Sequence, residues 1–426
     1  MTDKSPLEVW TKIPTRHLFQ FKRGYAISRV EMGSSGIPCV HYGDIHGGYG
    51  FEVDLDTARL GHVAEPANHG VNDFVSKGQF LFAGSSEDYE GSGNFTLIQG
   101  TQHGIAGTDT IVLTPKRELS ERYIAYLFDS LFFREQIRPH MMGTKVFHPS
   151  QRVIKAAFCI LPPKRVADAI ALHLDAKTAE VDSLIEKLTR QVGLLERYRR
   201  ELIARTVTRG LDPDAPMKDS GIDWIDKAPA AWKTTSISVV TDENKAKNAD
   251  LSEKNLLSLS YGRIIRKDID LAFGLLPASF DSYQIVEPGY IVLRMTDLQN
   301  DKRSLRSALA EERGIITSAY IGLKVRGPIV SKYLAWLLRF YDLAKVFYSI
   351  GGGVRQSANY KEIGKIPILV PPECEQQKIS DFLEEKSVRI DSTIERINKQ
   401  IELLGNYRKQ VINDAVTGKV RVGEVA

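Results

Sequence analysis

Apolar residues recur at a seven-residue period in two long, charge-rich stretches of the chain. With Leu174 set as position a of a heptad, the a positions are Leu174, Val181, Leu188, Leu195 and Leu202 in the first stretch. In the second they are Leu383, Ile390, Ile397, Leu404 and Val411. All are apolar, and no Pro or Gly pair interrupts either run, which predicts two long helices, each with one strict apolar seam. The d positions differ: Lys177 and Lys386, Gln191 and Gln400, Tyr198 and Tyr407 fill matching slots. Polar d residues lower stability but fix register and partner. Ile185, Val192, Ile394 and Ile401 add apolar e positions, so the helices are expected to pack against each other rather than each lying alone on its own domain.

The two stretches are copies. Residues 162–211 and 371–420 align without a gap at an offset of 209, with 17 of 50 positions identical, including Pro-Pro, Tyr-Arg and Val-Thr pairs at fixed places. The chain is therefore a duplication. The first helix leads from one globular segment into the next and the second leads out of it, so pairing is most economical antiparallel. At ~1.5 Å per residue such a rod is ~66 Å long, with a globular head expected at each end.

The segments ahead of each Pro-Pro also correspond. VSKGQFLFA at Val75 and VEPGYIVLR at Val286 each predict a turn at Gly78 or Gly289 feeding a buried strand. TDTIVLTPKRELSERYIAYL, ending at Leu127, and SAYIGLKVRGPIVSKYLAWL, ending at Leu337, predict a strand, a turn and an amphipathic helix opening near Ser120 or Ser331. A polar loop follows in each, GTKVFHPSQ from Gly143 and GGGVRQSAN from Gly351, and then a short strand into the Pro-Pro. The fold class expected is α+β: two globular α/β heads in a pseudo-twofold arrangement, joined by two antiparallel helices forming a coiled coil. Its parts are 1–160 (first head), 161–211 (first helix), 212–370 (linker and second head) and 371–426 (second helix and C-terminal tail).

Composition narrows the function. At 426 residues, 42% hydrophobic and 26% charged, the chain has the make-up of a soluble protein of two or more domains. No apolar run approaches the roughly 18 to 20 residues of a membrane span. The N-terminal MTDKSPLEVW carries no export signal, so no membrane association and a cytoplasmic location are expected. Cys39, Cys159 and Cys374 are too scattered for a zinc site or a disulfide framework, and all three are expected to be buried. A methyltransferase acting on an exocyclic amine would need an Asp/Asn-Pro-Pro-Tyr/Phe strand end, and the two Pro-Pro pairs here are followed by Lys164 and Glu373 instead. There is no phosphate-binding G-x-x-x-x-G-K-[S/T] loop, and the histidines, His41 and His46 included, lack the spacing of a metal pair. No catalysis, no metal and no cofactor are expected on this chain.

Net charge is only +4, spread as 16 Lys+Arg against 17 Asp+Glu in 1–160, 10 against 7 in 161–211, 22 against 19 in 212–370 and 9 against 10 in 371–426. A DNA-binding protein without a basic stripe must use local patches or share phosphate contact with a partner. The candidate DNA contacts are Lys22, Arg23, His41, Tyr42, His46, Lys145 and His148 in the first head. In the second they are Arg263, Arg266, Lys267, Arg294, Lys302, Arg303, Arg306, Arg355 and Gln356. Arg and Gln suit base edges, and Gly351, Gly352 and Gly353 would admit a ligand close to the backbone.

TAEVDSLIEK at 178–187 and ARTVTRGLDPDAPMKDSGIDWIDKAPAAW at 204–232, with IPCVHYGDI at Ile37 and LLSLSYGRI at Leu256, resemble the specificity subunits of type I restriction-modification systems over essentially the whole chain. APAAW at Ala228 departs from the family's usual Ile-Pro at that point. The resemblance implies that each head is a target recognition domain reading one half of a split sequence in double-stranded DNA. It also implies that the helices dock two methyltransferase subunits, and that restriction subunits add ATP-dependent cleavage. S-adenosylmethionine, ATP and Mg would then sit on those partners. Two rival readings are a single-chain methyltransferase, which would bind cofactor alone, and a non-catalytic coiled-coil scaffold that binds protein partners without reading DNA.

Overall fold

The computed structural model describes residues 10–27, 29–64, 74–87, 89–141, 143, 146–268, 279–298, 305–350 and 356–420. The two heptad stretches form continuous helices, Lys164–Arg209 and Glu373–Val416, of 46 and 44 residues. The chain divides into two compact units, and the boundaries fall inside these helices: residues 1–188 with 399–426 form one, and 189–398 the other. Each unit therefore holds one head, the first half of the helix that follows it, and the last half of the other copy's helix.

In the first unit, strands Phe19–Arg23, Thr110–Pro115, Phe80–Ala83, Phe95–Gln99 and Phe51–Asp54 form one sheet in that order, antiparallel except for the last pair. A second sheet orders Met32–Gly33, Gly61–Val63, Ile37–Val40 and Ile105–Ala106. Phe80–Ala83 is buried along its whole length, as expected of the run after Gly78, whose φ of 86° suits only glycine comfortably. Helix Glu121–Asp129 lays Tyr123, Ile124, Leu127 and Phe128 into the core. There they meet Leu174 of the first long helix and Ile412, Ala415 and Val416 of the second.

The second unit repeats this plan. Thr241–Glu243, Ile321–Val325, Ile291–Leu293 and Ser307–Leu309 form an antiparallel sheet in that order, matching the first four strands of the larger sheet in the first unit. Helix Ser331–Leu343 packs on Leu383 of the second long helix and on Ile203 and Val207 of the first. A hairpin, Met217–Ile222 with Ile225–Pro229, links the first long helix to this head.

Equivalent contacts recur in the two units, at an offset of 210 residues between the tyrosines and 209 between their partners and along the helices. The Tyr123 hydroxyl donates to the carbonyls of Ile160 (2.9 Å) and Val416 (3.1 Å); that of Tyr333 donates to Leu369 (3.1 Å) and, at 3.5 Å, Val207. Both rings are fully buried, and burial pushes both phenols well above their ordinary pKa, so they stay neutral donors. Arg408 Nε lies 2.9 Å from Asp182 in the first unit, and Arg199 Nη1 lies 2.6 Å from Asp391 in the second. Antiparallel pairing of the two helices is thus visible within each unit.

The a positions line this pairing. Leu174, Val181, Leu383, Ile390 and Ile397 are buried, and Leu188, Leu195, Leu202, Leu404 and Val411 are half-buried. The d positions lie largely outside it: Lys177, Gln191, Tyr198, Gln400 and Tyr407 are exposed, and Lys386 is half-buried with its ammonium over the Phe382 ring. The e positions complete the seam, with Thr178, Thr206 and Ala415 buried and Ile185, Val192, Ile394 and Ile401 half-buried. Polar d residues therefore set no interhelical register. The paired arginines, Arg199 and Arg408, occupy e slots of the seam. Cys39 and Cys159 are buried, with both thiols pushed up to about 12 by burial, whereas Cys374 is exposed, against expectation, because it lies in the first turn of its helix.

Replacing Tyr123 or Tyr333 by Phe leaves buried carbonyls without their donor and is expected to destabilise the corresponding unit by about 1–3 kcal/mol. Denaturant unfolding checks this, with hydrogen exchange locating the loss at 160 and 416, or at 369 and 207.

Candidate DNA interface and helical pair

The nominated residues of the first head separate into exposed and internal groups. Lys22 and Arg23 are exposed on Phe19–Arg23, an edge strand. Lys22 Nζ is 2.9 Å from the Tyr25 hydroxyl and 5.0 Å from its ring centre, and both cations border a small hollow with Tyr25, Phe74 and Gln79. His41 instead precedes helix Tyr42–Gly47, and its backbone N–H donates to Asp44 at 2.8 Å. Tyr42 packs against the core around Val40 and Ile45. His46 has both ring nitrogens engaged, Nε2 2.7 Å from the Ser85 carbonyl and Nδ1 3.0 Å from the Asn94 amide nitrogen. That pattern assigns a neutral ring that donates from Nε2 and accepts at Nδ1. His148 is exposed, with Nδ1 3.2 Å from the Ser85 hydroxyl, which itself donates to Asp109 at 3.1 Å. Lys145 lies outside the described residues.

In the second head, Arg263 and Arg266 stand on the hairpin Leu257–Ser260 with Arg263–Arg266. Both are engaged by acids: Arg263 Nη2 is 2.6 Å from Asp391, and Arg266 Nε is 2.8 Å from both Glu312 oxygens. Lys267 is exposed and Arg294 half-buried. Lys302, Arg303 and Arg355 lie outside the described residues.

Two nominations are corrected. Arg306 is wholly buried, so no base or phosphate reaches its side chain. Its guanidinium donates to the carbonyls of Arg294 (3.2 Å), Thr296 (2.8 Å) and Asp297 (3.2 Å), and its backbone N–H donates to Asp342. Gln356 turns its carboxamide inward, Nε2 donating to the Tyr348 carbonyl at 3.0 Å. Backbone bonds from Leu298 to Gln356 and from Ala358 to Met295, both 3.0 Å, lace the same two segments together. Burial raises the Asp342 carboxyl above its usual range, opposed by the Arg306 backbone N–H and by the charges of Arg339, Lys345 and Arg306. Arg306 and Gln356 thus hold the backbone of the segments they were expected to project from.

Tyr261 was missed by the sequence reading. It forms, with Gly262, the two-residue turn of the hairpin, at φ 44° and 74°, and is 78% exposed. Its sequence signal was a Tyr-Gly between two short runs rich in branched apolar residues, LLSLS and RIIR.

On the outer faces of the long helices, Leu194 and Tyr198 of the first are 55% and 51% exposed, and Leu403 and Tyr407 of the second, at the same offset of 209, are 55% and 53% exposed. Each pair is spaced i, i+4 and so shares one helix face.

No family model matches the chain. A protein of Methanocaldococcus jannaschii assigned to the type I restriction enzyme MjaX as its specificity subunit is 22% identical over 417 residues, covering 94% of this chain and 88% of that one. The chain is a homologue of type I restriction enzyme specificity subunits. Two solved structures agree in fold with this homologue. One, from work on complex assembly and conformational transition of the type I restriction-modification system, gives a TM-score of 0.69 at 15% identity, covering 98% of this chain and all of the other. The HsdS subunit of Thermoanaerobacter tengcongensis gives 0.50 at 15%, covering 98% and 99%. The chain therefore shares the fold of these two structures over 98% of its length. Among the described residues no helix is long and apolar enough to cross a membrane.

Arg306→Met removes three carbonyl contacts and a charge facing a buried carboxylate. It is expected to cost about 3–5 kcal/mol, measured by denaturant unfolding, with amide protection lost first at 294–298 and 356–358. A surface arginine would cost under about 0.5 kcal/mol.

Proposed function

We propose that this chain is the DNA-sequence specificity subunit of a type I restriction-modification complex, each head reading one half of a bipartite target. The observation that carries the reading is the duplicated architecture: two heads of related sheet order, each pinned by an equivalent tyrosine to the pair of long helices, which equivalent Arg–Asp pairs tie to each other. A protein that holds two related readers on a fixed helical pair is suited to two short sequences separated by a spacer of set length. Phosphate contact is shared with partners in this reading, consistent with the engagement of Arg263 and Arg266 by acids. Adenine methylation and ATP-dependent cleavage come from the methyltransferase and restriction subunits, which carry S-adenosylmethionine, ATP and Mg.

The helices would dock the methyltransferase subunits. Leu194 with Tyr198 and Leu403 with Tyr407 repeat the same residue pair at equivalent, exposed positions, which suits two copies of one partner. Tyrosine is a frequent anchor in protein interfaces.

Co-expression with the methyltransferase subunit of the same locus, followed by genome-wide mapping of methylated adenines by long-read sequencing, is expected to give a two-part motif with a fixed spacer. A soluble complex that binds S-adenosylmethionine yet yields no motif would favour the scaffold reading instead. Exchanging residues 234–360 for those of a relative should change one half-site alone; a change in both would end the one-head, one-half-site reading. Leu194→Asp with Tyr198→Ala is expected to reduce the bound methyltransferase copies from two to one in native mass spectrometry. Adding the same changes at Leu403 and Tyr407 should remove the second.

A further inference from the structure

The type I′ two-residue hairpin turn, one of the two that follow the twist of the strands, requires positive φ at both central positions, which is why Asn-Gly and Gly-Gly dominate it. The hairpin of the second head instead places a tyrosine at the first such position, Tyr261 with φ 44°, ahead of Gly262 with φ 74°. A bulky side chain there works against local preference, and burial does not compensate for it: at 78% exposure Tyr261 is the most exposed aromatic side chain among the described residues.

The surroundings hold the turn from behind. Arg339 donates to the carbonyls of Gly262 and, at 2.9 Å, Ser307, and a Cβ on Gly262 would fall 2.4 Å from that guanidinium. Arg263 is tied to Asp391 of the second long helix. Alternation puts Arg263 and Ile265 on one side of the strand, both exposed, as are Tyr261 ahead of it and Lys267 after it, while Ile264 packs inward. The Tyr-Gly of the first head is arranged differently, with Tyr42 packed against its own core. The outward aromatic belongs to the second head.

We propose that Tyr261 is a DNA-contacting residue of the second head, its ring inserting at one base step of the second half-site and stacking on the bases that the insertion parts. A two-stranded ribbon fits the major groove, and an aromatic at its tip reaches furthest into it. The ring, not the hydroxyl, makes the contact. This inference rests on the DNA-reading function proposed above.

The test uses the full chain assembled with its methyltransferase subunit and fluorescent duplexes carrying the mapped motif, intact or altered in one half. Tyr261→Ala is expected to weaken binding of the intact duplex about 10- to 100-fold and to abolish discrimination in the second half while leaving it in the first. Tyr261→Phe should bind as the wild type does. Tyr261→Asn, which accepts the left-handed turn readily, should behave like Tyr261→Ala, separating loss of contact from loss of the turn. 2-Aminopurine placed along the second half should respond at one position with wild type and Phe, and at none with Ala or Asn. Wild-type affinity and discrimination in Tyr261→Asn, or an equal loss in Tyr261→Phe, would overturn the proposal while leaving DNA reading intact. A wild-type complex indifferent to both halves would overturn the DNA-reading function itself.

Discussion

The last carbonyls of a helix have no partner within it and must find donors elsewhere or face water. Here the ends of both long helices are buried in a head, and a tyrosine hydroxyl reaches each: Tyr123 donates to Val416, and Tyr333 to Val207. Each phenol also holds a strand carbonyl of its own head, Ile160 or Leu369. One side chain thus fastens a head to the far end of the other copy's helix. Neither head closes its core alone, because Ile412, Ala415 and Val416 fill the first and Ile203 and Val207 the second. Asn413 adds a bond of the same kind, its side chain accepting the Phe132 N–H of helix Leu131–Ile137 at 2.9 Å.

Around these anchors the two units differ mainly in charge. Arg408 lies between Asp182 and Asp129. At the place corresponding to Asp129 the second unit carries Arg339, and Asp391 there serves both Arg199 and Arg263. The guanidinium of Arg339 is pushed below its usual pKa by burial, with Asp342 opposing and Arg199 and Arg263 reinforcing the shift. The same helix pair is fitted to two heads by changing which side brings the acid.

The helices were legible in the sequence because a seven-residue apolar repeat survives any choice of neighbours. The a positions fell on the seam, but whether d or e completed it was not legible, since both flank a on a helix face. Exposed Tyr198 and half-buried Ile185 sort themselves only once the partner helix is present. The strands after Gly78 and Gly289 were legible from glycine and apolar runs. The interface was much less so. Arg306 and Lys267 look alike as letters, and only three-dimensional enclosure makes one a bolt between carbonyls and leaves the other on the surface. Tyr261 was hidden in the opposite way, because its dipeptide matches that of Tyr42 while the two rings face different surroundings.

The helix swap also fixes an order of events during synthesis. The second unit spans 189–398 without interruption, so all of its parts have been made once residue 398 leaves the ribosome. The first unit, although it begins the chain, lacks its closing segment until residues 399–416 emerge. The head translated first is therefore the last to complete its core, and until then Tyr123 and the apolar face of Glu121–Asp129 await a partner at the other end of the message. Such non-local closure is slow relative to local contacts, so a chain cut short within the second helix leaves the core of the first head open however completely that head itself was made.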